Sequence, residues 1–368
     1  MVVVGAGVVG AAIAYECAAR GARVALLDRG EPGCQASGAA AGMLAPCSEA
    51  DEAGAFLDLA QRSLGLWPDL ARRVQADGGG DPELVLDGLL RVALDAEAAE
   101  DVQNRLRWQQ RAGIAEGRWV DAAEARALEP ALSPDLAGAA WYPGEGHVHS
   151  PHAVAALVQA ARHRGAEVRS GAAVAGPSTG NDGVRLAGGE EIAAEHVVLA
   201  AGSWLGALGA AFGAAIPVHP VHGQLVALRG LPRLPRRVLF AGRHGYVVAK
   251  RDGTLLAGAT EARRDFDTTP SDEATAALRA RAERLLPAAR EATQVRAWAG
   301  LRPATPDRLP LLGALARASR GSTTVHVAGG HYRNGVLLAP ATAQGMAGMV
   351  LDGAAPPGWE AFDPGRFG

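Results

Sequence analysis

At 368 residues the chain is long enough for two domains, or for one core carrying a large insertion. Hydrophobic residues make up 48% and charged residues 20%, an ordinary globular balance. The net charge of -3 offers no basic field for nucleic acid or an anionic membrane, and arginine does almost all the work of lysine, which reads as coding bias.

Residues 1 to 15 carry no charged side chain. A signal peptide would need a basic residue before the apolar part, and Glu16 ends the run short of the ~20 residues of a membrane span. The run therefore predicts a buried strand and helix. Only Met1 to Val4 remain for the strand, so a few upstream residues are expected to be missing. Cys17, Cys34 and Cys47 form no CxxC pair, and an odd count argues against a disulfide framework. Reduced thiols and a cytoplasmic location are expected.

The stretch "VVVGAGVVGAAIAYECAARGARVALLDRG" holds a β-branched strand, the glycines Gly5-x-Gly7-x-x-Gly10, a helix, and a second apolar strand closed by Asp28. Gly5 allows a tight turn, Gly7 lets backbone approach a pyrophosphate, and Gly10 packs helix on strand. The helix N-terminus offers free N–H groups to phosphates. Asp28 stands where an acceptor for ribose hydroxyls belongs. The plain alternative is a glycine-rich turn without a ligand. No second GxGxxG follows a strand, so a separate nicotinamide domain is not expected.

After Arg29 comes "CQASGAAAGML", with almost no bulk before Met43. It reads either as a flexible Ala/Gly linker or as a flat wall for a planar ring, and Ser37, Gly42 and Met43 favour the wall. Residues 86–145 and 217–295 carry short alternating runs such as "GLLRVALD" and "QLVALRG". They predict an antiparallel sheet with a few helices, one from about Ser271 to Leu286. Between them the α/β pattern returns. Ser150 is expected to cap a helix with Pro151 in its first turn, a strand is expected from Glu167 to about Val174, and another from Val197 to Ala200. His147, His149 and His152 lack Cys or carboxylate company, so no metal site is expected.

The C-terminal part contains "WAGLRPATPDRLPLLG" and "GGHYRNGVLLAPAT". Arg302, in an apolar rigid context, either pairs with an internal acid or awaits an anionic ligand. Tyr246 is either a half-buried sheet aromatic or part of a site. A helix is expected to open near Gly335.

The pattern predicts an α/β fold. A discontinuous Rossmann-like nucleotide domain (residues 1–85, 146–216 and 296–368) is interrupted by an α+β substrate domain (86–145 and 217–295) built on a mostly antiparallel sheet. With "VVVGAGVVG", "ASGAAAGMLAP", "GHV", "VVLAAGSW", "GYVVAKRDGTLLAGATEA" and the two C-terminal stretches assembled, nearly the whole chain resembles the FAD-dependent D-amino-acid oxidase superfamily. It is most similar to the glycine oxidase (thiamine-pathway) branch. The resemblance implies noncovalent FAD, since no cysteine lies near "GGHYRNG". It places FAD along Val8, Val9, Asp28, Arg29, Ala36, Ser37, Ala41, Gly42, Met43 and Val174, with His331, Tyr332, Arg333, Asn334, Gly335, Val336 and Leu337 beside the ring. It assigns Arg302 to the substrate carboxylate, with Tyr246 and Arg333 nearby. It further implies a small amine or amino-acid substrate, dioxygen as acceptor and a homo-oligomer. A D-amino-acid dehydrogenase that passes electrons to a quinone is the alternative. Two departures stand out: Asp28 replaces the usual Glu, and His149 stands where an acid is common, which puts the helix cap there in question.

Overall fold

The computed structural model describes residues 1–242, 245–316, 318–319 and 321–367. Two large sheets organise them. The first has six strands in the order 311–314, 324–329, 196–199, 2–4, 25–27 and 167–169. All neighbours run parallel except the antiparallel edge Leu311–Ala314. A parallel sheet needs cover on both faces, and its side chains divide accordingly. Val3 and Leu26 pack under the helices Val8–Ala19, Ala55–Ala76, Ser150–His163 and Gly335–Asp352. Val2, Val4 and Leu27 face the opposite way, onto Leu205, Phe212 and Ile216.

The second sheet has eight strands in the order 293–304, 219–229, 255–258, 246–249, 238–240, 89–93, 138–142 and 118–121. Its pairs are antiparallel except for Val238–Phe240 beside Leu89–Ala93. One face packs on the helix Asp272–Leu285, for which Ser271 is the N-cap. The other face looks toward the first sheet. The strand Thr293–Ala304, which carries Arg302, is an outer strand of this second sheet, paired along almost its whole length with His219–Arg229.

Three local expectations need correction. The N-cap of Ser150–His163 is His149, whose imidazole accepts from the His152 N–H at 3.3 Å. Ser150 instead donates its hydroxyl to the Ser37 carbonyl at 2.5 Å, tying this helix to the alanine-rich segment. His149 thus takes the capping role expected of Ser150. The strand expected from Glu167 to Val174 breaks after Arg169, because Ala172 N–H turns back to the Asp28 carbonyl at 2.7 Å. Val174 then starts a strand of a separate three-stranded antiparallel sheet. The expected strand from Val197 runs one residue out of step, His196–Leu199.

Candidate active site

The two sheets enclose a cavity of about 820 Å³, within the range of cofactor and ligand sites. At one end the fingerprint forms its floor. Gly5 has φ +107°, and a Cβ there would stand 2.5 Å from the Ala200 carbonyl oxygen. A Cβ on Gly10 would stand 1.8 Å from the Gly5 carbonyl oxygen, so strand and helix touch backbone to backbone. The first-turn amides of Val8–Ala19 have no intrahelical acceptors and open on the cavity. Val8 N–H is taken by the Ser37 hydroxyl at 2.9 Å, which fastens the alanine-rich segment across the helix start.

Asp28 lies at the cavity wall as expected, but its carboxylate also works inward. One oxygen accepts from the Ala6 N–H at 2.7 Å and the other from the Gly30 N–H at 2.9 Å. Arg29 stacks on the Trp204 ring at 3.9 Å. Farther along, Ala36, Ser37, Ala41, Gly42 and Met43 form a side wall with little side-chain bulk, and Val174 lines the end beside Asp28. Gly42 has φ +79°, and a Cβ there would lie 2.2 Å from the Val148 carbonyl oxygen. None of the lining residues is a cysteine: Cys17 and Cys47 are buried elsewhere and Cys34 is exposed.

The seam 330–335 closes the middle. His331 is buried, accepts or donates at Thr342 Oγ1 over 3.1 Å, and is held neutral because burial lowers its pKa to about 4. Tyr332 has φ +50°, a left-handed conformation uncommon for a bulky residue. It is pinned by its N–H to the Pro303 carbonyl at 2.8 Å and by a short hydrogen bond from its hydroxyl to Glu261 Oε2. Arg333 forms an ion pair with Glu49 at 3.0 Å. Asn334 precedes the helix Gly335–Asp352, whose first amides face the cavity. Gly10 packs helix on strand, as its place in the motif predicts, whereas Leu337, expected beside the ring, turns into the core, its carbonyl accepting from Ser63 Oγ at 2.7 Å and Trp67 Nε1 at 3.3 Å.

The second sheet supplies the roof. Arg302 lays its guanidinium over Gly223 of the neighbouring strand, where a Cβ would stand 2.1 Å from Nη1. Nη1 donates to the carbonyls of Thr260 at 3.0 Å and His222 at 3.3 Å. Arg302 makes no ion pair among the described residues. The Tyr246 ring lies in the same manner over Gly258, with the hydroxyl 2.5 Å from where a Cβ would be. Burial raises that hydroxyl to about 12, while nearby Arg302 and Arg333 oppose the shift. Gly223 and Gly258 were not singled out from the sequence. Their signal, isolated glycines inside alternating strands, marks close approach.

Arg91, also missed, faces the cavity from the row that aligns Arg91, Phe240 and Tyr246 across three strands. Its Nη1 donates to the Ser48 carbonyl at 2.7 Å, and its guanidinium stacks on Phe240 at 4.8 Å. Among the described residues no group of three His, Cys, Asp or Glu side chains could hold a metal, and no helix is long and apolar enough to cross a membrane.

A two-sheet fold with a dinucleotide cradle and a polar roof over a planar-ligand wall defines an oxidoreductase that works through a bound redox cofactor. The family model described as FAD dependent oxidoreductase (DAO) matches residues 1–349, and the chain belongs to that family. FAD is therefore the cofactor, and the low-bulk wall and glycine floor fit it. The chain is similar to the glycine oxidase of Geobacillus kaustophilus, 39% identical over 95% of this chain and 92% of that protein. A crystal structure of glycine oxidase from that organism superposes with a TM-score of 0.92 at 37% identity, covering 99% of this chain and 98% of that one. It is also similar, at 34% identity, to the bifunctional protein ThiO/ThiG of Trichormus variabilis, covering 100% of this chain and 55% of that longer protein.

Proposed function

We propose that the protein is a glycine oxidase. It would take glycine with dioxygen and water and yield glyoxylate, ammonia and hydrogen peroxide, with sarcosine and small D-amino acids as further candidate substrates of similar size. The observation that carries this reading is Arg302. Among the described residues its guanidinium has only carbonyl partners, lies in a notch cleared by Gly223, and stands on the same cavity wall as the Tyr246 hydroxyl. A half-buried guanidinium without a carboxylate partner among the described residues suits the carboxylate of a small amino acid, held as a fork.

In this reading Arg302 grips the substrate carboxylate, Tyr246 donates its hydroxyl to it, and the two fix the α-carbon toward the cofactor. Bound FAD supplies the acceptor for the hydride leaving that carbon. Arg333 lines the same wall, and its pairing with Glu49 holds it in place. The first-turn amides of Gly335–Asp352 favour negative charge at that end of the cavity. His331 is neutral and tied to Thr342, so it holds the seam rather than exchanging protons. Geobacillus glycine oxidase supports the amine class, and the ThiO/ThiG relative supports a role for the imine product in thiamine thiazole biosynthesis.

The test is Arg302→Ala, scored for peroxide with glycine under air. The KM is expected to rise at least tenfold while the bound-FAD spectrum stays intact. An unchanged KM removes Arg302 from the site, and flavin that bleaches with glycine and stays bleached under air until a quinone is added turns the reading to a dehydrogenase.

A further inference from the structure

Lys250 is the chain's only lysine among 36 Lys and Arg residues. The other 35 basic residues are arginine, so lysine stands at this one position alone. Lys250 is 4% exposed. Its ammonium meets three acceptors at once: the Ala41 carbonyl at 2.7 Å, the Val148 carbonyl at 2.8 Å and His147 Nδ1 at 3.2 Å. Among the described residues no carboxylate touches it. A compact head with three rotatable donors suits this tripod. A planar guanidinium is larger, fixes its donors in one plane and cannot shed its charge.

The place it holds is the flavin wall. Ala41, Gly42 and Met43 line the cavity, and Met43–Leu44 pairs with Gly146–His147 in a ladder of two residues per strand. So short a ladder does not hold its own geometry. Gly42 and Val148 exchange one backbone bond of 2.9 Å at its end, and Lys250 reaches the carbonyls of Ala41 and Val148 beside it. Lys250 also directly follows the strand Tyr246–Ala249, so one short strand carries Tyr246 at its start and the clamp at its end. Its backbone is fixed in turn by Lys250 N–H to the Thr254 carbonyl at 2.8 Å, and the neighbouring Arg251 pairs with Asp81 at 2.6 Å.

We propose that Lys250 is a positioning residue for FAD: by clamping the Ala41 and Val148 carbonyls it fixes the wall on which the ring rests and couples that wall to the Tyr246 strand. Arginine cannot replace it there. The proposal rests on FAD as cofactor and not on which amine is oxidised.

The titratable groups around the ammonium are His147 and His149 from the paired segment, Glu83 from the 81–84 segment, and Asp252 from its own turn. Burial lowers Lys250 to about 7, with Glu83 and Asp252 opposing. His147 is driven to about 3 by burial and by Lys250, so it stays neutral across the working range and offers Nδ1 as acceptor. Loss of one proton from Lys250 leaves two N–H groups, enough for both carbonyls.

The test titrates apo-protein with FAD for wild type, Lys250→Met, Lys250→Arg and the exposed control Arg72→Lys, and follows the bound-flavin midpoint potential from pH 6 to 9. Both Lys250 variants are expected to raise the FAD dissociation constant at least tenfold, with the control within twofold. The wild-type potential is expected to fall more steeply above pH 7, as the nearby positive charge is lost, and Lys250→Met to lack that bend. A purely structural lysine would leave the potential curve straight. Lys250→Arg binding FAD as wild type does, or a bend that survives in Lys250→Met, overturns the proposal. If Lys250→Met does not fold, a wild-type curve straight through pH 7 overturns it equally.

Discussion

Along the cofactor floor glycine frees backbone, whereas in the roof sheet it clears room for another residue's side chain. Gly5, Gly10 and Gly42 bring main chain against main chain, and their partners Ala200, Gly5 and Val148 are backbone atoms. Gly223 and Gly258 instead leave notches occupied by the Arg302 guanidinium and the Tyr246 ring. The first kind of glycine serves a ligand recognised by consecutive amides. The second serves a ligand recognised by a few long side chains that must be laid flat. The two walls should therefore fail differently when a methyl group is added.

The largest effect is expected at the floor. A methyl group on Gly10 would sit 1.8 Å from the Gly5 carbonyl oxygen, and a backbone atom cannot swing aside. Gly10→Ala must push the fingerprint helix off its strand, an overpacking that costs about 3 kcal/mol or more. Purified Gly10→Ala is expected to lose FAD affinity at least a hundredfold, by fluorescence titration of apo-protein. Near-normal affinity would show that helix and strand separate cheaply, and the contrast between the walls would fall.

A second test lies where the walls meet. Glu145 is buried and accepts from Cys47 N–H at 2.6 Å, Ser48 N–H at 3.0 Å and Ser48 Oγ at 2.6 Å, which fixes the short helix Pro46–Glu49. That helix presents Glu49 to Arg333 at the cavity. Desolvation outweighs these donors and raises Glu145 to about 7 from its usual 4.5. A carboxyl raised on folding binds its proton more tightly in the native state. Its contribution is complete below pH 4.5 and is lost as pH rises through 7. At 1.36 kcal/mol per pH unit this comes to about 3 kcal/mol. Urea unfolding from pH 4.5 to 8 should show that decline in wild type and a flatter profile in Glu145→Gln. Parallel profiles would mean that Glu145 ionises normally and that the seam is not a stability hinge.

The same contrast explains what could be read from the chain. The fingerprint, Asp28, the alanine-rich wall and the seam 331–336 are contiguous in sequence, so the spacing of Gly5, Gly7 and Gly10 already displays the geometry they serve. The antiparallel sheet was legible as alternation, and the helix Asp272–Leu285 as a run from about Ser271 to Leu286. What stayed hidden depends on the register between strands. Arg302 meets Gly223 only because strands far apart in sequence pair as they do, and Tyr246 meets Gly258 only through the register of two consecutive antiparallel strands. Arg91 joins the cavity by a third such alignment, through Phe240. The capping role of His149 was missed because Ser150, one residue on, is the better intrinsic cap. Only the fold shows that the Ser150 hydroxyl is already committed to Ser37.

The finest test of the comparison is Gly223→Ala. Its new methyl group would meet Nη1 at 2.1 Å and Cζ at 2.3 Å, but these atoms end a flexible side chain. The guanidinium can therefore leave its notch, giving up its hydrogen bonds to the Thr260 and His222 carbonyls, while the strand pairing of Gly223 with Gly300 stays in place. Nothing in this movement touches the fingerprint or the Ala41–Gly42 wall. Moving one charged fork is worth about a factor of ten in binding, or ~1.4 kcal/mol. The variant is expected to raise the glycine KM about tenfold with the FAD dissociation constant within twofold of wild type. Loss of FAD together with the KM change would mean that the roof and the floor are one mechanical unit. An unchanged KM would mean that the guanidinium does its work outside the notch.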